Sequence, residues 1–164
     1  MRLGVDTIRR DLYLLSSHVF GSPALTDIAN EDLGAPFSEL LQIHEESEIQ
    51  HLLIDIAARL RILDDEYYRA NREPSSNWAD NVGSLMVNLA NPNQGPLSLR
   101  EACNKIIHVE TLDFWRTRPQ EDEPISFPLE PRVSLYGTFN GNRWKAEIDL
   151  KRFIFYGYAI TQLV

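Results

Sequence analysis

"RVSLYGTFNGNRWKAEIDL", residues 132 to 150, decides the fold class. Apolar and polar residues alternate through it with period 2, the spacing at which successive side chains fall on opposite faces of a strand. At its middle stands Asn140-Gly141. Both central positions of a type I′ turn need positive φ, which Asn tolerates and Gly adopts freely, so the pair predicts a two-residue hairpin loop. That loop sets the register: Val133 faces Ile148, Leu135 faces Ala146, and Gly137 faces Trp144. One face is therefore apolar, and the glycine leaves room for the indole. The other face pairs Tyr136 with Lys145 and Ser134 with Glu147, which a solvated side tolerates.

Upstream of the hairpin the period is helical. Ile49, Leu53, Ile56, Leu60, Leu63 and Tyr67 recur at alternating spacings of four and three, and no Gly or Pro interrupts residues 37 to 73. Such a stripe predicts a long buried bundle helix, ended by Pro74 and the following "SSNW". Ile8, Leu12, Leu15 and Val19 predict a first helix over residues 6 to 19, with Asp6 placed to cap it and His18 near its C-terminus, where a positive charge is favourable. The Gly, Pro, Asn and Asp of "GSPALTDIANEDLGAP" predict a loop with at most a short turn of helix. Residues 75 to 97 read as loop-rich, with one apolar patch, "SLMVNLA", whose period does not separate strand from helical turn.

A third helix opens at Ser98, where Ser98 and Glu101 have the spacing of a capping box, and is expected to run to about Leu112. The four prolines and acid run of "WRTRPQEDEPISFPLEP" predict an exposed connection. The last segment, "KRFIFYGYAITQLV", is apolar and aromatic and is expected to dock on the core as a helix or a further strand. The expected fold is thus α+β. A bundle of three to four helices is followed by a C-terminal antiparallel hairpin and a final packed apolar segment. At 164 residues the chain suits a single domain, 1–164, with a helical part at 1–112, a Pro-rich acidic connection at 113–131, and the hairpin and terminal segment at 132–164.

The net charge of −8 is unevenly spread. Residues 31 to 66 hold ten acids against two bases, while from Arg132 onward five bases face only Glu147 and Asp149. An acidic field repels phosphate backbones, so duplex nucleic acid is not the expected partner and a basic protein is. Glu45, Glu46, Glu48 and Asp55 are the candidate partner-binding residues on the acidic segment. The start of the chain has no apolar run with a small-residue cleavage site, no stretch is long and apolar enough to span a bilayer, and Cys103 is the only cysteine; these point to a cytoplasmic protein. There is no P-loop, dinucleotide fingerprint or paired-cysteine pattern, and His44 and His51 lack a third ligand nearby, so neither a cofactor nor a metal is expected.

"SLREACNKIIH", residues 98 to 108, carries the candidate chemistry. At about 100° per residue, Arg100, Asn104 and His108 share one arc with Glu101 and Lys105, and Leu99, Ala102, Cys103, Ile106 and Ile107 fill the other. Cys103 therefore points inward as a small hydrophobe. An Asn orienting a His, with an Arg beside them, is a place to hold a phosphate or to move a proton near neutral pH.

This amphipathic helix bearing "CNKIIH", preceded by a short helix and a long bundle helix, resembles the HEPN superfamily of small helical-bundle domains common in bacterial defence and toxin systems. Ribonucleases of that superfamily carry an arginine, often a polar residue such as Asn beside it, and a histidine a few residues on. His108 and Asn104 match; Cys103 stands where the arginine is expected, and the nearest upstream arginine is Arg100. The resemblance covers residues 1 to 112 and implies His108 as the proton-transfer group, Asn104 orienting it and Arg100 on the phosphate, across a dimer seam. Two function classes follow. The first is a non-enzymatic acidic protein of the antitoxin or immunity type that neutralises a basic partner such as a nuclease toxin; the second is a divergent HEPN-like ribonuclease or nucleotide-binding domain. A homodimer is compatible with both.

Overall fold

Asn140 and Gly141 adopt φ values of 50° and 79°, and the hairpin they close has the register read from the sequence: Val133 opposite Ile148, Leu135 opposite Ala146, Gly137 opposite Trp144. A Cβ on Gly137 would clash with Cζ2 and Cε2 of the Trp144 ring, so the glycine is what admits the indole. The chain is seen in a computed structural model that describes residues 4–71, 80–117 and 127–163, and the fold is α+β. Its elements are α1 (Val5–Ile28), a π-helical turn (Ala29–Leu33), α2 (Gly34–Asn71), β1 (Asn81–Met86), β2 (Gln94–Ser98), α3 (Leu99–Ile107), β3 (Thr111–Arg116), β4 (Leu129–Phe139), β5 (Asn142–Asp149) and α4 (Leu150–Ile160).

The strands form one antiparallel sheet in the order β2-β1-β5-β4-β3. The central hairpin is therefore extended on both sides. Val133, Leu135, Trp144, Ala146 and Ile148 line its inner face and share one core with Ile8, Leu12 and Leu15 of α1, Leu53, Ile56 and Leu60 of α2, Cys103 and Ile106 of α3, and Phe153 of α4. Each Val, Leu, Ile or Phe side chain taken out of water contributes roughly 1.5–3 kcal/mol, which is why a period-2 face and the apolar sides of four helices converge on one interior.

Several expectations are corrected. The first helix does not end at residue 19: it runs to Ile28 and passes through the π turn into α2, so "GSPALTDIANEDLGAP" is helical, and His18 lies mid-helix. The reason is visible in its buried residues. Ile8, Leu12, Leu15, Val19, Ser22, Thr26 and then Ala29 continue one stripe at spacings of four and three, but the last three are small or polar and carry no hydrophobic signal. Pro23 sits on the exposed side of α1, and packing of that stripe outweighs the hydrogen bond that the ring removes. Gly4, not Asp6, is the N-cap; Asp6 lies in the first turn, 3.6 Å from Arg9.

The third helix stops at Ile107, and Leu112 belongs to β3, whose Leu112 and Phe114 pair with Leu135 and Val133. The expected connection thus begins with a strand and closes with the first residues of β4; its middle, 118–126, and the Pro74 stop lie outside the described residues. "SLMVNLA" opens in β1, and β2 was not foreseen. The terminal segment is the helix α4, capped by the Asp149 carboxylate, which accepts from the amides of Lys151 and Arg152. The outer face of the hairpin is only partly solvated, because Trp115 of β3 reaches across it and donates from Nε1 to Ser134 Oγ at 2.9 Å, leaving Ser134 2% exposed. No helix among the described residues is long and apolar enough to cross a membrane.

Candidate functional site

α3 is wound as the sequence implies over most of its length: Leu99, Ala102, Cys103 and Ile106 are buried, and Ser98 Oγ accepts from the Glu101 amide at 3.2 Å; Ile107, expected on the same inward arc, is instead exposed because the helix ends there. Burial pushes the Cys103 thiol up to about 12, so it is a packed hydrophobe and not a nucleophile. The polar arc, however, is dispersed by pairings with other elements. Arg100 forms an ion pair with Asp64 of α2, which also accepts from Arg61 Nη1 at 2.8 Å; Asp64 is 1% exposed, so the two guanidinium groups close over a buried acid. Burial, and next the neighbouring Arg61, lower the pKa of Arg100.

Asn104 donates from Nδ2 to Glu101 Oε2 at 3.3 Å, and Lys105 lies 3.3 Å from the same carboxylate and 4.5 Å from the centre of the Trp144 ring. His108 is the exposed C-cap, where α3 ends. Arg100, Asn104 and His108 are thus three separate positions along the helix: the first tied to α2, the second to Glu101, the third facing solvent.

The acidic residues divide in the same way. Glu45 is 4% exposed and faces inward, where Arg116 of β3 lies 3.5 Å from its Oε2, and Glu46 Oε1 accepts from Arg116 Nη2 at 2.8 Å and Nε at 3.0 Å. Arg116 also donates from Nη1 to the Phe127 carbonyl at 2.7 Å, so this one side chain straps the sheet edge to α2. Burial raises the pKa of Glu45 above its ordinary 4.5, against the opposing pull of the Ser22 hydroxyl, Arg116 and His18. Its Oε1 is buried with no hydrogen-bond partner among the described residues. Glu48 and Asp55, seven residues apart and so on one outer stripe of α2, are exposed; Asp55 lies 3.4 Å from Arg59, and Glu48 has no partner among the described residues.

Arg116 was invisible to sequence reasoning because its partners lie about 70 positions away and share no local pattern with it. On the outer sheet face, Lys145 lies 5.8 Å from the ring centre of Tyr136, the cross-strand neighbour that the hairpin register gave it, whereas Arg132, 5.1 Å from the Trp115 ring centre, meets its ring only because β3 pairs with β4. Among the described residues no group of three or more His, Cys, Asp or Glu stands together as a metal-ligand set. No known protein family matches the chain, and neither a curated protein nor a solved structure does.

Proposed function

We propose that the chain is a small acidic binding protein of the antitoxin or immunity type, which neutralises a basic protein partner, such as a nuclease toxin, in the cytoplasm. The observation that carries this reading is a span without cations. Between Arg10 and Arg59 there is no Lys or Arg, while nine acids occur. Glu39 and Glu48, both on α2 within it, are exposed and make no ion pair among the described residues. Unpaired carboxylates on one helix attract a basic surface, speed its encounter and reject acidic competitors.

Because Glu45 and Glu46 are taken up by Arg116, the residues to reverse are Glu48, Asp55 and Glu66, which share the outer stripe of α2. A pull-down from native lysate with the wild type, with the triple reversal to Lys and with His108→Ala tests the reading. One basic protein retained by the wild type and by His108→Ala, lost on the triple reversal, and weakened by added salt is the expected result. RNA or a nucleotide that copurifies and is lost on His108→Ala instead favours the HEPN-like reading, in which exposed His108 moves the proton.

A further inference from the structure

We propose that the chain pairs with a second copy of itself, face to face and antiparallel, through the outer side of α1. From Leu12 to Thr26 there is no Asp, Glu, Lys or Arg. The inward side of this stretch is the buried stripe already described; the outward side presents Tyr13 at 69% exposure, Leu14 at 38%, Phe20 at 49%, and, one turn further, Leu25 at 39% and Ile28 at 45%. A solvent-facing helix side ordinarily carries charges, and four uncharged turns with large apolar groups in water mark a surface that is covered.

The charges at the two ends of the stripe identify the cover. Arg10 stands at the start with its side chain 67% exposed; it donates to Asp11, but Asp11 already accepts from Arg59, so Arg10 retains charge toward solvent. Exposed Asp27 and Glu31 stand at the other end, with no ion-pair partner among the described residues. A strongly basic segment lying along α1 would meet Arg10 as a like charge, and an anionic membrane would meet Asp27 and Glu31. A second α1 running the opposite way meets neither obstacle: each Arg10 reaches the Asp27–Glu31 end of its partner.

The same operation sets the bulky Tyr13 and Leu14 of one copy toward Ala24 and Leu25 of the other, and Ser17 and Gly21 fall at the centre, where backbones approach most closely. This is the reciprocal pattern that a two-fold interface requires, in which residue i meets j and j meets i. Arg10 and Asp27 are about 25 Å apart along the helix, a length over which two helices crossing at roughly 20° stay in contact.

The test is sedimentation velocity on the full chain over a concentration series. The wild type is expected to sediment as a reversible dimer. A β-carbon on Gly21 would meet nothing within 4 Å, so Gly21→Glu leaves the fold intact, as an unchanged circular dichroism spectrum will verify, while placing like charges in the seam and weakening the dimer about tenfold or more. Arg10→Glu alone, and Asp27→Arg with Glu31→Arg alone, are each expected to be monomeric; mixed, they are expected to form a 1:1 heterodimer, since only the mixed pair has opposite charges at both ends. A wild type that stays monomeric overturns the proposal. So does a dimer indifferent to Gly21→Glu, or a mixture that fails to pair.

Discussion

Gly137 and Glu45 show how single residues carry long-range demands. Gly137 is required by the Trp144 ring against it, and not by its own backbone, because a β-carbon there overlaps the indole. Gly137→Ala is expected to destabilise the protein by about 1–3 kcal/mol, the usual cost of overpacking a core, as a lowered midpoint in urea unfolding. Glu45 is the opposite case, a carboxyl whose burial disfavours its charge. Its folded-state pKa is raised, so its contribution to stability is fully present below the ordinary 4.5 and is lost as pH rises through the folded value. Relative to Glu45→Gln, which cannot ionise, the wild type should therefore lose stability as pH rises from below 4.5 toward neutrality. Thermal unfolding of both proteins across that range reads the difference, and a difference that stays flat or widens in favour of the wild type would contradict this account of Glu45.

At the scale of elements, the informative join is between α2 and α3. Leu63 and Ile106 supply apolar burial on that side of the core, but the orientation of α3 is also held by Asp64, which neutralises Arg61 and Arg100 from a position closed to solvent. Removing one member of such a cluster leaves its partners uncompensated. Asp64→Ala is expected to cost about 2–3 kcal/mol, less than for a fully buried pair because both guanidinium groups stay partly wet, with chemical unfolding as the measurement. The hairpin of α1 and α2 behaves differently along its length. Near residues 8–19 and 49–63 it packs Ile, Leu and Val; toward its tip the inward residues become Ser22, Thr26, Ala29, Ser38 and Glu45, with Thr26 Oγ1 buried and without a partner among the described residues. Small inward residues let the two helices come close but supply little burial, so the tip is the less stable end.

For the whole molecule, one core joins the sheet to all four helices, and Cys103 lies in it at 0% exposure. With its thiol held near 12 by burial, a thiol reagent at neutral pH finds almost no thiolate and no access. Cys103 labelling is expected to proceed at the rate of global unfolding and to rise across the same denaturant range as the loss of helix signal. Labelling well below that range would mean that α3 opens independently of the sheet. The two proposed contacts use different sides of this architecture: the solvent side of α2 carries exposed carboxylates, and that of α1 an uncharged stripe with large apolar groups in water.

Much of this was legible in the sequence wherever the physics is local. Period 2 around Asn140-Gly141, the stripe from Ile49 to Leu63 and the cap at Ser98 each depend on the spacing of near neighbours in sequence, so backbone sterics and side-chain periodicity suffice to read them without any long-range contact. Other features depended on which distant residue arrives alongside. Strands β1 and β3 exist because the central hairpin offers them edges, and β2 because β1 then offers its own; Ser22, Thr26 and Glu45 are interior because α1 folds back on α2; Arg100 and Glu46 are occupied because Asp64 and Arg116 meet them. Hydrogen bonds and ion pairs between elements carry no periodic signature along the chain, so the division of the acids and of the α3 polar arc into inward struts and outward surface was decided by the tertiary structure alone.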